Sequence, residues 1–270
     1  MGLALLSSCA STPRTAAAEA PCDGSLLEIE GHRIWVHAQG AGHPTVVFES
    51  GFGNDSSVWE SLEKHVRERG FQTFVYDRAG LGKSTINPSA TYSIDNDAQI
   101  LRTALERCDI AGPIVMVGHS YGGAIGLVLA EKSQQVKGLV LLDAVVPGVW
   151  GQGELEKNLA VMRSQYDEIR REAPELAKVA IPWAEALPKT TQRVDGVSLP
   201  ESLPVIDIVA ENGQNSPEST AVWREAHRKF VGSSPSRTYV LATGSSHKVM
   251  KDKEQVVLDA IMTVIGRAGG

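Results

Sequence analysis

A chain of 270 residues that is 42% hydrophobic and 21% charged has a globular composition and is long enough to bury a full core without disulfide staples. Its 26 basic and 32 acidic residues leave a net charge of −6 with no long basic run, so the electrostatic footprint of a nucleic-acid binder is absent. No run of 18 apolar residues occurs, and a transmembrane helix is not expected.

Residues 1–24 differ from the rest, being rich in Ala, Ser, Thr and Pro. Within them Leu6-Ser7-Ser8-Cys9 resembles the lipobox of bacterial lipoproteins, although the preceding apolar stretch is short and carries no Lys or Arg. The expectation is a tail or lipoprotein-type signal remnant, an exported protein, and a membrane tether through Cys9; a cytoplasmic protein with a plain tail is the alternative. The other cysteines are Cys22 and Cys108. With no C-x-x-C pair, structural zinc is not expected. Export would permit a Cys22–Cys108 disulfide.

Beyond the tail, short apolar runs alternate with helical patterns. Residues 26–29 and 34–37 flank Gly31-His32 and predict a hairpin. Runs at 45–49, 72–76, 114–117, 136–142 and 205–209 are short and rich in β-branched residues. They suit parallel strands buried on both faces. Over residues 93–108, Ile94, Ala98, Leu101, Leu105 and Cys108 recur at spacings of three and four behind Ser93 as N-cap. Val257, Ile261, Val264 and Ile265 repeat the pattern near residues 254–267. This alternation predicts an α/β domain with a mostly parallel sheet. Residues 144–204 break the rhythm. Leu155, Leu159, Met162, Tyr166 and Ile169 form an amphipathic stripe, and Pro174, Pro182, Pro188 and Pro200 are expected to divide the remainder into short pieces. So long a segment without strands predicts a helical insertion rather than a bare loop.

The strongest chemical signal is Gly118-His119-Ser120-Tyr121-Gly122, a G-x-S-x-G nucleophile elbow with a strand pattern before it and a helix pattern over 124–131. The start of that helix favours negative charge near Ser120. On these residues the chain resembles the α/β-hydrolase superfamily over about residues 25–267. Two further blocks carry the likeness. Glu49-Ser50-Gly51-Phe52-Gly53 corresponds to the oxyanion-hole loop, with Ser50 where the family usually has histidine. Asp77-Arg78-Ala79-Gly80-Leu81-Gly82-Lys83-Ser84 resembles a structural turn of the family, so Asp77 and Arg78 are expected to be scaffold.

The resemblance implies a mostly parallel sheet flanked by helices, with a core over 25–143 and 205–270 and a small helical lid over 144–204. It implies a serine hydrolase that uses no cofactor or metal and takes a small-molecule ester. Ser120 would be the nucleophile and His247, after the run 237–242, the base. For the acid the usual slot falls on Gly213, so Asp143 at the preceding strand end is expected, with Glu211 as the alternative. Asp207, inside an apolar strand, is disfavoured. Phe52 and Tyr121 would supply the oxyanion N–H groups, and Trp59, Val146 and Trp150 would line the substrate pocket. Trp183 is read either as a pocket wall or as packing for the lid. His119 is expected to point away from the serine, and His32, His43, His65 and His227 to be solvated. Acyl transfer, perhydrolysis on the same triad, or a receptor that retains the fold are the competing functions.

Overall fold

Glu30 and Gly31 both take positive φ, 52° and 79°. Two such residues in sequence make the tight turn that suits strand twist, and they join β1 (Asp23–Ile29) to β2 (His32–Gln39) as an antiparallel pair. These strands belong to the computed structural model of the chain, which describes residues 22–268. The lipobox expected around Cys9 lies outside the described residues.

The remaining strands are β3 (Thr45–Glu49), β4 (Thr73–Tyr76), β5 (Ile114–His119), β6 (Val136–Leu142), β7 (Val205–Asn212) and β8 (Arg237–Ser246). Their order is β1-β2-β4-β3-β5-β6-β7-β8; β2 meets β4 antiparallel, and every pair from β4 to β8 is parallel. The all-buried runs of β3, β4 and β5 follow from helices on both faces. On one face lie α2 (Ile94–Arg107), α3 (Tyr121–Lys132) and α7 (Pro217–Gly232). On the other lie α1 (Glu60–Glu68) and α9 (Glu254–Ala268), with the short α8 (Val249–Asp252) between β8 and α9. The Ser93 side chain caps α2 by accepting from Asn96 N–H.

Between β6 and β7 the chain forms α4 (Gln152–Ser164), α5 (Tyr166–Glu172) and α6 (Pro174–Asp195). The prolines do not divide this segment as expected. Pro174 sits in the first turn, where no N–H is needed, but Pro182 and Pro188 lie inside a continuous α6. An interior proline costs roughly 3 kcal/mol. Here the helix buries Ala177, Val179, Trp183, Leu187 and Val194 on one face, and packing of that face outweighs the local cost.

Cys22 and Cys108, separated by 86 in sequence, form a disulfide that fixes the start of β1 to the end of α2, with the Cα atoms 5.6 Å apart. Closing a loop of that length removes about 4–5 kcal/mol of unfolded-chain entropy.

Candidate active site

Strand β5 ends at His119 and α3 begins at Tyr121, so the whole turn falls on Ser120. Its φ of 52° and ψ of −122° are costly for a residue with a side chain, by about 1–3 kcal/mol. Crowding holds it there. A Cβ at Gly118 would stand 2.6 Å from the Gly123 Cα, and one at Gly122 would stand 2.4 Å from the Glu49 carbonyl oxygen. The Ser120 carbonyl accepts from Gly123 and Val145 N–H, each at 3.0 Å. Tyr121 is the first residue of α3, so its N–H has no acceptor within the helix.

Asp143 follows β6 with φ 43° and is fully buried. Its Oδ2 accepts from His247 Nδ1 at 2.6 Å. Its Oδ1 accepts from Trp223 Nε1 at 2.9 Å and from Ala210 N–H at 3.1 Å. One oxygen is thus anchored to β7 and α7, and the other is left to the imidazole. With Nδ1 committed to the carboxylate, Nε2 is the nitrogen free to act as a base. The empty slot at Gly213 now has a physical reason: a Cβ there would lie 2.2 Å from Asp143 Oδ2. An acid on β6 and a side chain at position 213 need the same space. Glu211, the alternative acid, has its Oε2 on Gly244 N–H at 2.7 Å and serves the turn near the end of β8.

His119 was expected to point away. Instead its ring lies 4.6 Å from that of His247, and Nε2 donates to the His247 carbonyl at 2.8 Å. Burial, then the neighbouring His247, lowers its pKa to about 4, so at neutral pH it is an uncharged brace for the histidine loop. Extended alternation fails because the chain turns sharply at the next residue. His32 and His227 are corrections as well. His32 is buried and accepts from Asn87 N–H at 3.0 Å. His227 is sealed against Asp207, with Nδ1 2.7 Å from Oδ2.

The loop after β3 is held from beneath. Ser50 Oγ donates to the Asp55 carbonyl and accepts from Trp59 Nε1, both at 2.9 Å. Buried Arg78 donates through Nη1 to Glu49 Oε1 and the Ser50 carbonyl, and through Nη2 to the Gly51 carbonyl at 2.6 Å. A trans peptide aims its C=O and N–H in opposite directions. Fixing the Gly51 carbonyl toward Arg78 therefore turns the Phe52 N–H away from it. Position 51 adjoins Ser120, since a Cβ built there would lie 3.3 Å from the Ser120 Cβ. Glu49, which also accepts from Tyr76, has its pKa raised to about 7 by burial, with Arg78 opposing.

The three expected pocket residues are corrected. Trp59 is fully buried, its ring 5.3 Å from Phe48, on the sheet face away from α3. Val146 is buried in the core, and Trp150 packs against its margin. The cleft of about 130 Å³ that Ser120 and His247 share is lined by Phe52, Asn54, Val58, Met250 and Lys251. Trp183 stacks on Phe52 with ring centroids 3.9 Å apart and meets Tyr121 edge-on at 5.8 Å, so α6 packs on both residues. Among the described residues, no three His, Cys, Asp or Glu side chains stand together as a metal site requires.

Residues 44–201 match the family model described as the alpha/beta hydrolase fold. An uncharacterised Bacillus subtilis (strain 168) protein, YqjL, is 26% identical over 231 residues, covering 84% of this chain and 86% of that protein. A putative carbamate hydrolase, RutD, of Variovorax paradoxus (strain S110) is 35% identical over 115 residues, 40% of this chain and 41% of its own length. Among solved structures, a thermophilic esterase from Thermogutta terrifontis superposes with a TM-score of 0.67 at 19% identity, over 90% of this chain and 97% of that one.

Proposed function

The chain belongs to the α/β-hydrolase family, and on that premise we propose that it is a cofactor-independent serine hydrolase that cleaves carboxylic esters. The observation that carries this reading is the 2.6 Å contact between His247 and buried Asp143 beside the cleft that holds Ser120. In the proposed reaction His247 Nε2 takes the proton from Ser120 Oγ as the oxygen attacks the acyl carbon. Asp143 keeps the imidazole in the right tautomer and stabilises its charged form. The oxyanion is received by the N–H groups of Phe52 and Tyr121; losing one such donor typically removes about 3 kcal/mol of transition-state stabilisation. His247 then returns the proton to the leaving alcohol, and water releases the acyl group by the same route. Ser120 makes no side-chain hydrogen bond among the described residues, and such contacts commonly close only when substrate is bound.

The fold likeness to an esterase favours an ester as substrate. The partial likeness to a putative carbamate hydrolase makes a carbamate the second substrate to test. For location, the Cys22–Cys108 disulfide favours an oxidising compartment, in keeping with export and a lipid tether at Cys9. The test is hydrolysis of p-nitrophenyl acetate. The protein turns it over, and Ser120→Ala abolishes turnover. A receptor would bind such esters without cleaving them, and equal rates for Ser120→Ala and the native protein would refute the assignment.

A further inference from the structure

A second cavity lies on the far side of Phe52, enclosed between residues 86–100 and α6. Phe52 lines both this cavity and the Ser120 cleft, so the two spaces adjoin at that residue. The walls are mostly apolar, with Leu81, Ile86, Ile100, Val179 and Pro182 among them. One wall is not. Asp97 lines the cavity at only 9% exposure. Its Oδ2 accepts from Tyr121 Oη at 2.8 Å and from Tyr92 Oη at 3.0 Å, while its Oδ1 has no hydrogen-bond partner among the described residues. That oxygen, on a residue lining the cavity, is left to whatever occupies the space, whereas Oδ2 alone holds both tyrosines.

The size and charge of the cavity narrow what it takes. Its volume is about 70 Å³, whereas a whole drug-sized ligand needs roughly 300 Å³ or more; the space suits the end of a chain. Arg78 and Lys178 also line it, so a cationic group would meet like charge, while a hydroxyl or amide N–H would satisfy Asp97 without adding any. We propose that this cavity is the acyl-chain pocket of the site, opened when the Phe52 ring swings aside, and that Asp97 selects acyl chains bearing a neutral hydrogen-bond donor. This rests on the serine-hydrolase reading and names its substrate class.

The experiment compares p-nitrophenyl esters of straight acyl chains of four to eight carbons, each with and without a terminal hydroxyl, against acetate. At one chain length the hydroxyl raises kcat/KM about tenfold over the plain chain, the effect of one buried hydrogen bond. Ile100→Phe, which fills the cavity, removes that advantage and lowers the ratio of long-chain to acetate rates about tenfold; Val179→Phe fills it from the lid should Ile100→Phe not fold. A hydroxyl that helps at no chain length, or a filled cavity that slows acetate and long chains alike, overturns the proposal while leaving ester cleavage intact. Failure of the native protein to cleave any ester overturns the underlying reading, and the pocket with it.

Discussion

Two aspartate–histidine pairs lie on neighbouring strands and differ by only 0.1 Å in contact distance: Asp143 with His247 at 2.6 Å and Asp207 with His227 at 2.7 Å. Both carboxylates are fully buried. The histidines are not alike. The His247 side chain is 38% exposed in the cleft beside Ser120. His227 is sealed, and neither its Nε2 nor Asp207 Oδ1 has a partner among the described residues. A carboxylate–imidazole contact is therefore not itself a catalytic device. The second ring nitrogen needs somewhere to send a proton, and a sharp loop after β8 gives His247 that access while the interior face of α7 denies it to His227.

The largest expected effect comes from the exposed pair. Asp143→Asn preserves shape but favours the wrong imidazole tautomer, and kcat falls by about four orders of magnitude; Glu211→Gln changes it little. The reverse result in ester kinetics would move the acid to Glu211 and break the comparison. Next comes Gly213→Ala. The new methyl group presses on Asp143 Oδ2, so kcat falls by roughly ten- to a hundredfold, with KM for a short ester nearly unchanged.

The sealed pair answers in stability instead. Asp207→Ala strands His227 in the core and costs about 3 kcal/mol, read by urea unfolding, while kcat stays within a few-fold of native. The smallest effect is its pH dependence. Burial pushes the Asp207 carboxyl above its usual range, with His227 opposing. A carboxyl that holds its proton more firmly when folded adds stability at pH below its unfolded pKa and loses it as pH rises through the folded value. Unfolding measured across that rise shows a downward slope from this group, and Asp207→Asn flattens it.

Much of this was legible in the sequence. The strand runs at 45–49 and 136–142 coincide with β3 and β6, and Ser93 caps α2 as expected. These rest on local rules of periodicity and capping. The elbow is legible for the same reason, since its glycines are sequence neighbours of Ser120. The crowding of Asp143 by position 213 was not, because it depends on the space between the ends of β6 and β7, which only the packing of Gly213 reveals. Trp59 and His227 were misread for a related reason: residue type and position do not tell which face of a helix or turn meets the sheet. The persistence of α6 through Pro182 and Pro188 belongs with these, since tertiary packing overrides a strong local signal.

The most direct measurement of the central claim is labelling with a fluorophosphonate probe, followed by peptide mapping. The native protein takes up one equivalent, on Ser120, and His247→Gln or Asp143→Asn slows labelling by orders of magnitude while Asp207→Ala, in its folded fraction, does not. Labelling that spares Ser120, or that proceeds as fast without His247 as with it, would contradict the account.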